Sequence, residues 1–153
     1  MDKSVYKQVV IAFLHNSFNS YLLQLRDFKP AIIYPGYWGA FGGAVEAGET
    51  PEIALGRELM EEIGFSPETL GFFREVNVEK HKLDIHIFYS RLSVSPAELN
   101  LMEGSDIGLF TIEEILSGNL YSSKLGKAFP VVPLLSDLFV EFLKYVDENI
   151  ETL

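Results

Sequence analysis

The sequence predicts an α+β fold: strands, a helix, more strands and a final helix. Three observations lead there. Runs rich in β-branched and aromatic residues recur at 6–14 (YKQVVIAFL), 21–26 (YLLQLR), 71–78 and 83–92. Helical periodicity appears after Thr50 and again across 130–148. The order of these segments groups the strands instead of alternating them with helices as βαβ units would. The 153 residues suffice for one domain with its own core, read as residues 1–153. No internal repeat, low-complexity tract or linker interrupts them.

Taken in order, 6–14 is a strand, 15–20 (HNSFNS) has turn chemistry, and 21–26 returns as a second strand. Residues 27–36 contain Pro30, Pro35 and Gly36 and must be a loop. Residues 37–42 form a short extended segment. Thr50 then caps a helix whose first position is Pro51, where the missing N–H does no harm. At 100° per residue, Ile53, Leu55, Leu59, Met60 and Ile63 form an apolar arc, with the glutamates on the opposite side. Gly64 is placed to end this helix in the left-handed conformation. Residues 71–78 and 83–92 form a strand pair joined around 79–82. In the second strand Leu83, Ile85, Ile87 and Tyr89 share one face, and Asp84, His86 and Phe88 the other. A short strand at 107–111 leads into a capping box, Thr111 to Glu114, and a short helix closed near Gly118. The last helix carries apolar positions 131, 134, 135, 138, 139, 142, 143 and 146.

Composition narrows the function. Hydrophobic residues make up 48% and aromatics 13%, which argues against disorder. No apolar run reaches the length of a membrane span, and the N-terminal MDKSVYKQ lacks a signal-peptide stretch. A membrane partner is not expected. Cysteine is absent, which excludes disulfides, thiolate ligands and a cysteine nucleophile and fits a reducing, cytoplasmic setting. The net charge of −10 disfavours double-stranded nucleic acid as a partner. A small phosphorylated molecule remains compatible if metal ions bridge it to carboxylates.

Half of that negative excess lies in 43–65, GAVEAGETPEIALGRELMEEIGF, with six Glu against one Arg. Glu58, Glu61 and Glu62 are three and four apart, so on a helix they project to one side. Like charges that close repel unless a partner neutralises them. A hard divalent cation that prefers oxygen ligands, Mg²⁺ above all and with Mn²⁺ as a substitute, is the natural one.

This stretch resembles the signature of the Nudix hydrolases, G-x5-E-x7-R-E-U-x-E-E-x-G-U, at every defined position, with Leu59 and Phe65 as the bulky residues U. A chance match to its seven fixed letters is on the order of one in a hundred million per start position. The resemblance implies an α/β/α sandwich, with a mixed sheet packed between helices. It implies metal-assisted hydrolysis of a diphosphate linkage in a nucleoside diphosphate derivative. Glu61 and Glu62 would be the core metal ligands and Glu58 a ligand or general base. The carbonyl of Gly42, the glycine before the signature, would be a further ligand. Gly42 and Gly43 suit a close approach of backbone to metal. Arg57 and Glu49 would pair to hold the loop onto the helix. MutT-like members usually have Pro before the glycine pair, where this chain has Phe41.

Outside the signature, Glu103 lies in a Glu-Gly loop before a strand, as the distal ligand or base of MutT-like proteins does; an ordinary surface glutamate is the alternative. Arg26 resembles a family arginine that contacts substrate phosphate. Trp38, Tyr37 and Phe88 could stack on a base, with core packing the alternative for at least two of them. His81 and His86 are read as structural or surface residues. The expected activity is that of a MutT-type nucleoside triphosphate pyrophosphohydrolase acting on a small nucleotide, as a monomer or homodimer. The alternatives are a nucleotide-sugar or ADP-ribose pyrophosphatase, and a non-catalytic nucleotide-sensing domain. ADP-ribose-cleaving members often carry a Pro some fifteen residues after the signature, where this chain has Lys80 and His81. Sensing domains usually lose a signature glutamate, and none is lost here. Loop 27–36 and residues 118–129 are the expected seat of substrate choice.

Overall fold

The computed structural model describes residues 5–150. The first residues of the N-terminal segment considered above lie outside that range. Strand β1 (Lys7–Ser17) is the axis of a seven-stranded mixed sheet. Its alternating apolar residues serve both faces: Val10, Ala12 and Leu14 on one, Ile11 and Phe13 on the other. Along one edge β1 runs parallel to β6 (Leu83–Arg91), which pairs antiparallel with the edge strand β5 (Gly71–Val78). The other edge of β1 is divided. Its end pairs with β2 (Ser20–Leu25), whereas Val9 to Ala12 pair with β4 (Phe41–Ala44). Strand β2 divides in the same way. Past Leu22 it leaves β1, and Gln24 and Leu25 pair with β3 (Trp38–Gly39), while β7 (Asp106–Thr111) covers its other edge. The strands β1 and β2 therefore fork, and the chain from Trp38 to Ala44 crosses the opening.

Helix α1 (Pro51–Ile63) covers one face of the sheet. The Thr50 hydroxyl accepts the Ile53 N–H at 3.2 Å, and Gly64, at φ 64°, turns its own N–H back to the carbonyls of Leu59 and Met60. The buried arc differs from the one periodicity suggested. It runs through Ala54, Leu55, Leu59 and Ile63 and includes Glu62, whereas Ile53 and Met60 are 59% and 48% exposed. The helix has rotated so that Glu62 points into the fork. Fully burying Leu55, Leu59 and Ile63 contributes roughly 1.5–3 kcal/mol each, enough to hold a carboxylate in an interior position.

Helix α3 (Pro133–Asn149) covers the opposite face, burying Leu135, Leu138, Phe139, Phe142 and Val146 against Phe13, Tyr21 and Ile87. With α2 (Ile112–Leu116), opened by the Thr111–Glu114 capping box, it completes the α/β/α layering. Two elements differ from expectation. Strand β1 continues through His15 to Ser17, so the turn is confined to Phe18 and Asn19. Residues 119–130 form a hairpin, β8 (Asn119–Ser122) and β9 (Lys127–Pro130), where no strands were expected from the sequence. Leu120 and Phe129 tie that hairpin into the α3-side core. Among the described residues no helix is long and apolar enough to cross a membrane.

Candidate active site

A cleft of about 1010 Å³ opens on the α3 side of the fork. Its two ends differ in chemistry. One is lined by Glu58, Glu61, Glu62, Glu103, Gly42 and Gly43. The other is walled by Ile33, Tyr34, Leu83, Ile85, Leu134 and Leu138. Arg26 also lines it.

The acidic end is built by α1 and β4. Glu62 is 2% exposed, and both of its oxygens are held: the Gly42 N–H donates to Oε1 at 3.0 Å and Gln24 Nε2 donates to Oε2 at 3.0 Å. Burial pushes its carboxyl up to about 8; the Gln24 hydrogen bond opposes this, and the charges of Glu58 and Glu103 add to it. Burial also raises the Glu58 carboxyl, against the lowering effect of Arg57. The glycines make room. At Gly43 a Cβ would collide with the Glu58 carboxylate, and at Gly42 with the Val10 carbonyl.

Arg57 fastens the turn 44–49 to the helix. Its Nε and Nη2 donate to the two oxygens of Glu49 at 2.8 and 2.9 Å, and Nη2 also donates to the Ala44 carbonyl at 3.0 Å. Nη1 reaches Glu58 Oε1 at 3.0 Å and Glu61 Oε2 at 3.4 Å. The Arg57 hydrogen bond, helped by the Glu46 N–H, holds the Glu49 carboxyl down at about 2. Phe41, where Pro is usual, is fully buried against α1 and anchors β4.

Glu103 arrives from a different direction. Its loop is pinned by backbone bonds from Asn100 N to Ile63 O, Met102 N to Glu62 O, and Ser105 N to Leu25 O. That places an exposed Glu103 close enough to raise the carboxyls of both Glu58 and Glu62. Arg26 donates through Nε to the Ile33 carbonyl at 2.7 Å, fixing the base of loop 27–36.

Trp38 and Phe88 stand elsewhere, which corrects their reading as stacking platforms. Trp38 is fully buried, donates Nε1 to the Leu120 carbonyl at 2.9 Å and meets Phe110 edge-on. Phe88 points to the α1-side core, as its strand parity requires. Gln24, Tyr34 and His81 line the cleft without having been singled out for it. A polar residue amid YLLQLR was the available signal for Gln24. Tyr34 and His81 sit 5.9 Å apart, edge to face, and only the packing of loop 27–36 against the turn Glu79–His81 brings them together.

The donor set fits a hard divalent cation. It offers carboxylate oxygens from Glu58, Glu61 and Glu62, and Glu62 is a buried acid whose ionised form needs compensating charge. Among the described residues no three His, Cys, Asp or Glu side chains stand as a ready-made ligand set. Glu58 is turned towards Arg57, while each Glu62 oxygen still has a second lone pair.

Residues 5–129 match the family model described as NUDIX domain. The chain belongs to the Nudix family. It is a MutT-like Nudix hydrolase. It is 30% identical over 120 residues to the oxidized purine nucleoside triphosphate hydrolase of Danio rerio, covering 75% of this chain and 74% of that protein. It is 44% identical over 68 residues to the 8-oxo-dGTP diphosphatase of Haemophilus influenzae, covering 42% of this chain and 45% of that one. The fold superposes on the MutT protein of Methanosarcina mazei with a TM-score of 0.69 at 21% identity, over 95% of this chain and 96% of the other. The Nudix signature is thus the fork-spanning β4, the turn and α1, and the acidic end of the cleft is made almost wholly from it.

Proposed function

We propose that this Nudix hydrolase is a Mg²⁺-dependent nucleoside triphosphate pyrophosphohydrolase of MutT type, releasing nucleoside monophosphate and pyrophosphate. The observation that carries this reading is the two-ended cleft, with clustered carboxylates at one end and an apolar wall at the other. Such a cleft suits a substrate charged at one end and flat and apolar at the other. The relatives' named substrates, oxidised purine nucleotides, lend support.

Glu61 and Glu62 would hold the metal, together with the Gly42 carbonyl and with Glu58 as ligand or base. A Mg²⁺ held there would supply charge to neutralise phosphate oxygens and to lower the pKa of water. The chain's own groups do the rest. Arg26 draws the phosphates into the cleft, and Glu58 or Glu103 accepts the proton of the attacking water. The water oxygen bonds to one phosphorus of the α–β linkage, the bond from that phosphorus to the bridging oxygen breaks, and the products are nucleoside monophosphate and pyrophosphate. The apolar end receives the base.

Hydrolysis products are to be separated by anion-exchange chromatography after incubation with deoxynucleoside triphosphates, an oxidised guanine triphosphate, ADP-ribose and GDP-mannose, each with and without Mg²⁺, the triphosphates giving nucleoside monophosphate with pyrophosphate and the other two nucleoside monophosphate with a sugar phosphate. Metal-dependent release from the triphosphates is expected. Turnover confined to ADP-ribose or GDP-mannose would overturn the substrate class. Turnover undiminished by chelation would overturn the metal mechanism.

A further inference from the structure

The signature supplies Glu62 but does not orient it. The carboxylate is gripped from both sides of the fork, by the Gly42 N–H on β4 and by Gln24 on β2. Gln24 is itself 5% exposed, and its Nε2 also lies 3.4 Å from the Ala40 carbonyl. Its Oε1 sits where a Cβ on Gly104 would approach to 3.0 Å, so the Glu103 loop packs against the same amide. One side chain therefore touches Glu62, the crossing segment and the Glu103 loop. Its neighbours in sequence, Leu23 and Leu25, are wholly apolar and buried. An apolar residue at 24 would leave a nearly buried carboxylate with one donor fewer, and the loss of a hydrogen bond to a charged group is substantial.

We propose that Gln24 is a positioning residue for Glu62: its amide fixes the rotation of the carboxylate and so presents the remaining lone pairs to the cation. The proposal rests on the reading that Glu62 is a metal ligand. Partners that orient a ligand commonly govern metal affinity by about 10–100-fold. The donor matters here as well as the shape, because the amide offers N–H where a carboxylate at 24 would offer only repulsion.

The test uses the full chain with Mn²⁺ as probe, its dissociation constant read by titration calorimetry and by electron paramagnetic resonance. Gln24→Met keeps length and volume and removes the donor; Gln24→Glu keeps the shape and reverses the polarity. Mn²⁺ affinity is expected to fall roughly tenfold in the first and roughly a hundredfold in the second at pH 8. In both, kcat should fall while KM for the nucleotide stays within about threefold. Thermal melts report folding separately, and either folded variant suffices. Unchanged Mn²⁺ affinity in a folded variant would overturn the positioning role. Equal losses in the two variants would overturn the added repulsion and leave loss of the donor as the whole effect. A wild-type protein that binds no Mn²⁺ and hydrolyses nothing would instead overturn the function proposed above.

Discussion

At its acidic end the cleft is made from one stretch of chain, Gly42 to Glu62, with Glu103 added from one loop. Its apolar end borrows from loop 27–36, strand β6, the turn Glu79–His81 and the start of α3. The first end is local but electrostatically expensive: clustered carboxylates, one of them buried, held by Arg57, Gln24 and the Gly42 N–H. The second is cheap in charge and assembled from long-range packing. Under the proposed function, chemistry that tolerates little displacement would thus sit on a capped helix. Recognition of the remaining substrate would fall to walls that can change without disturbing that helix.

The sharpest way to break this division is Glu62→Gln. A loss of kcat on the order of 10²–10³-fold is expected, with little change in KM, measured by steady-state pyrophosphate release. Retained kcat would move the chemistry away from the buried carboxylate.

The next prediction concerns pH and the metal-free protein. Glu62, raised to about 8 from an ordinary 4.5, binds its proton more tightly folded than unfolded. Its contribution to stability is therefore complete below about pH 4.5 and lost as pH rises through 8. Melting temperatures of the chelated protein across that window should fall more for wild type than for Glu62→Gln. Mg²⁺ should restore the wild type at pH 8 and not the variant. Parallel curves for the two proteins would mean that burial leaves Glu62 without a stability penalty.

At the apolar end, Leu134→Asp should raise KM for base-bearing nucleotides by roughly tenfold with kcat held within about threefold. A fall in kcat instead would show that the two ends are coupled. The smallest effect belongs to His81. Its Nε2 is buried with no hydrogen-bond partner, so His81→Phe removes an unpaired polar atom and should raise the melting temperature by a few degrees, on the order of 1 kcal/mol. A lower melting temperature would point to a bound water holding that nitrogen.

Much of the acidic end was legible from spacing alone. The Thr50 cap, Pro51, the Gly64 terminator and the three glutamates are all short-range features, and short-range geometry follows from residue type. What spacing misjudged was the rotation of α1. Ile53 and Met60 have the chemistry of buried residues, yet Glu62 took the inward position. Periodicity ranks residues by polarity and cannot register that two donors wait inside the fork. Trp38 and Phe88 illustrate the same gap. Aromatic rings suit a base or a core equally, and strand parity against α1 and α3 decided for the core.

The sequence by itself determined the family, the layered α+β fold and the cluster of carboxylates at one end of the cleft, because these depend on side-chain identity at fixed separations along a helix or strand. Only the tertiary structure decided that β1 and β2 part company, that Gln24 meets Glu62 across the gap, and that Tyr34 and His81 share one wall. Those contacts join residues 38 and 47 positions apart. Separations of that length are settled by the packing of whole elements, which local pattern does not encode.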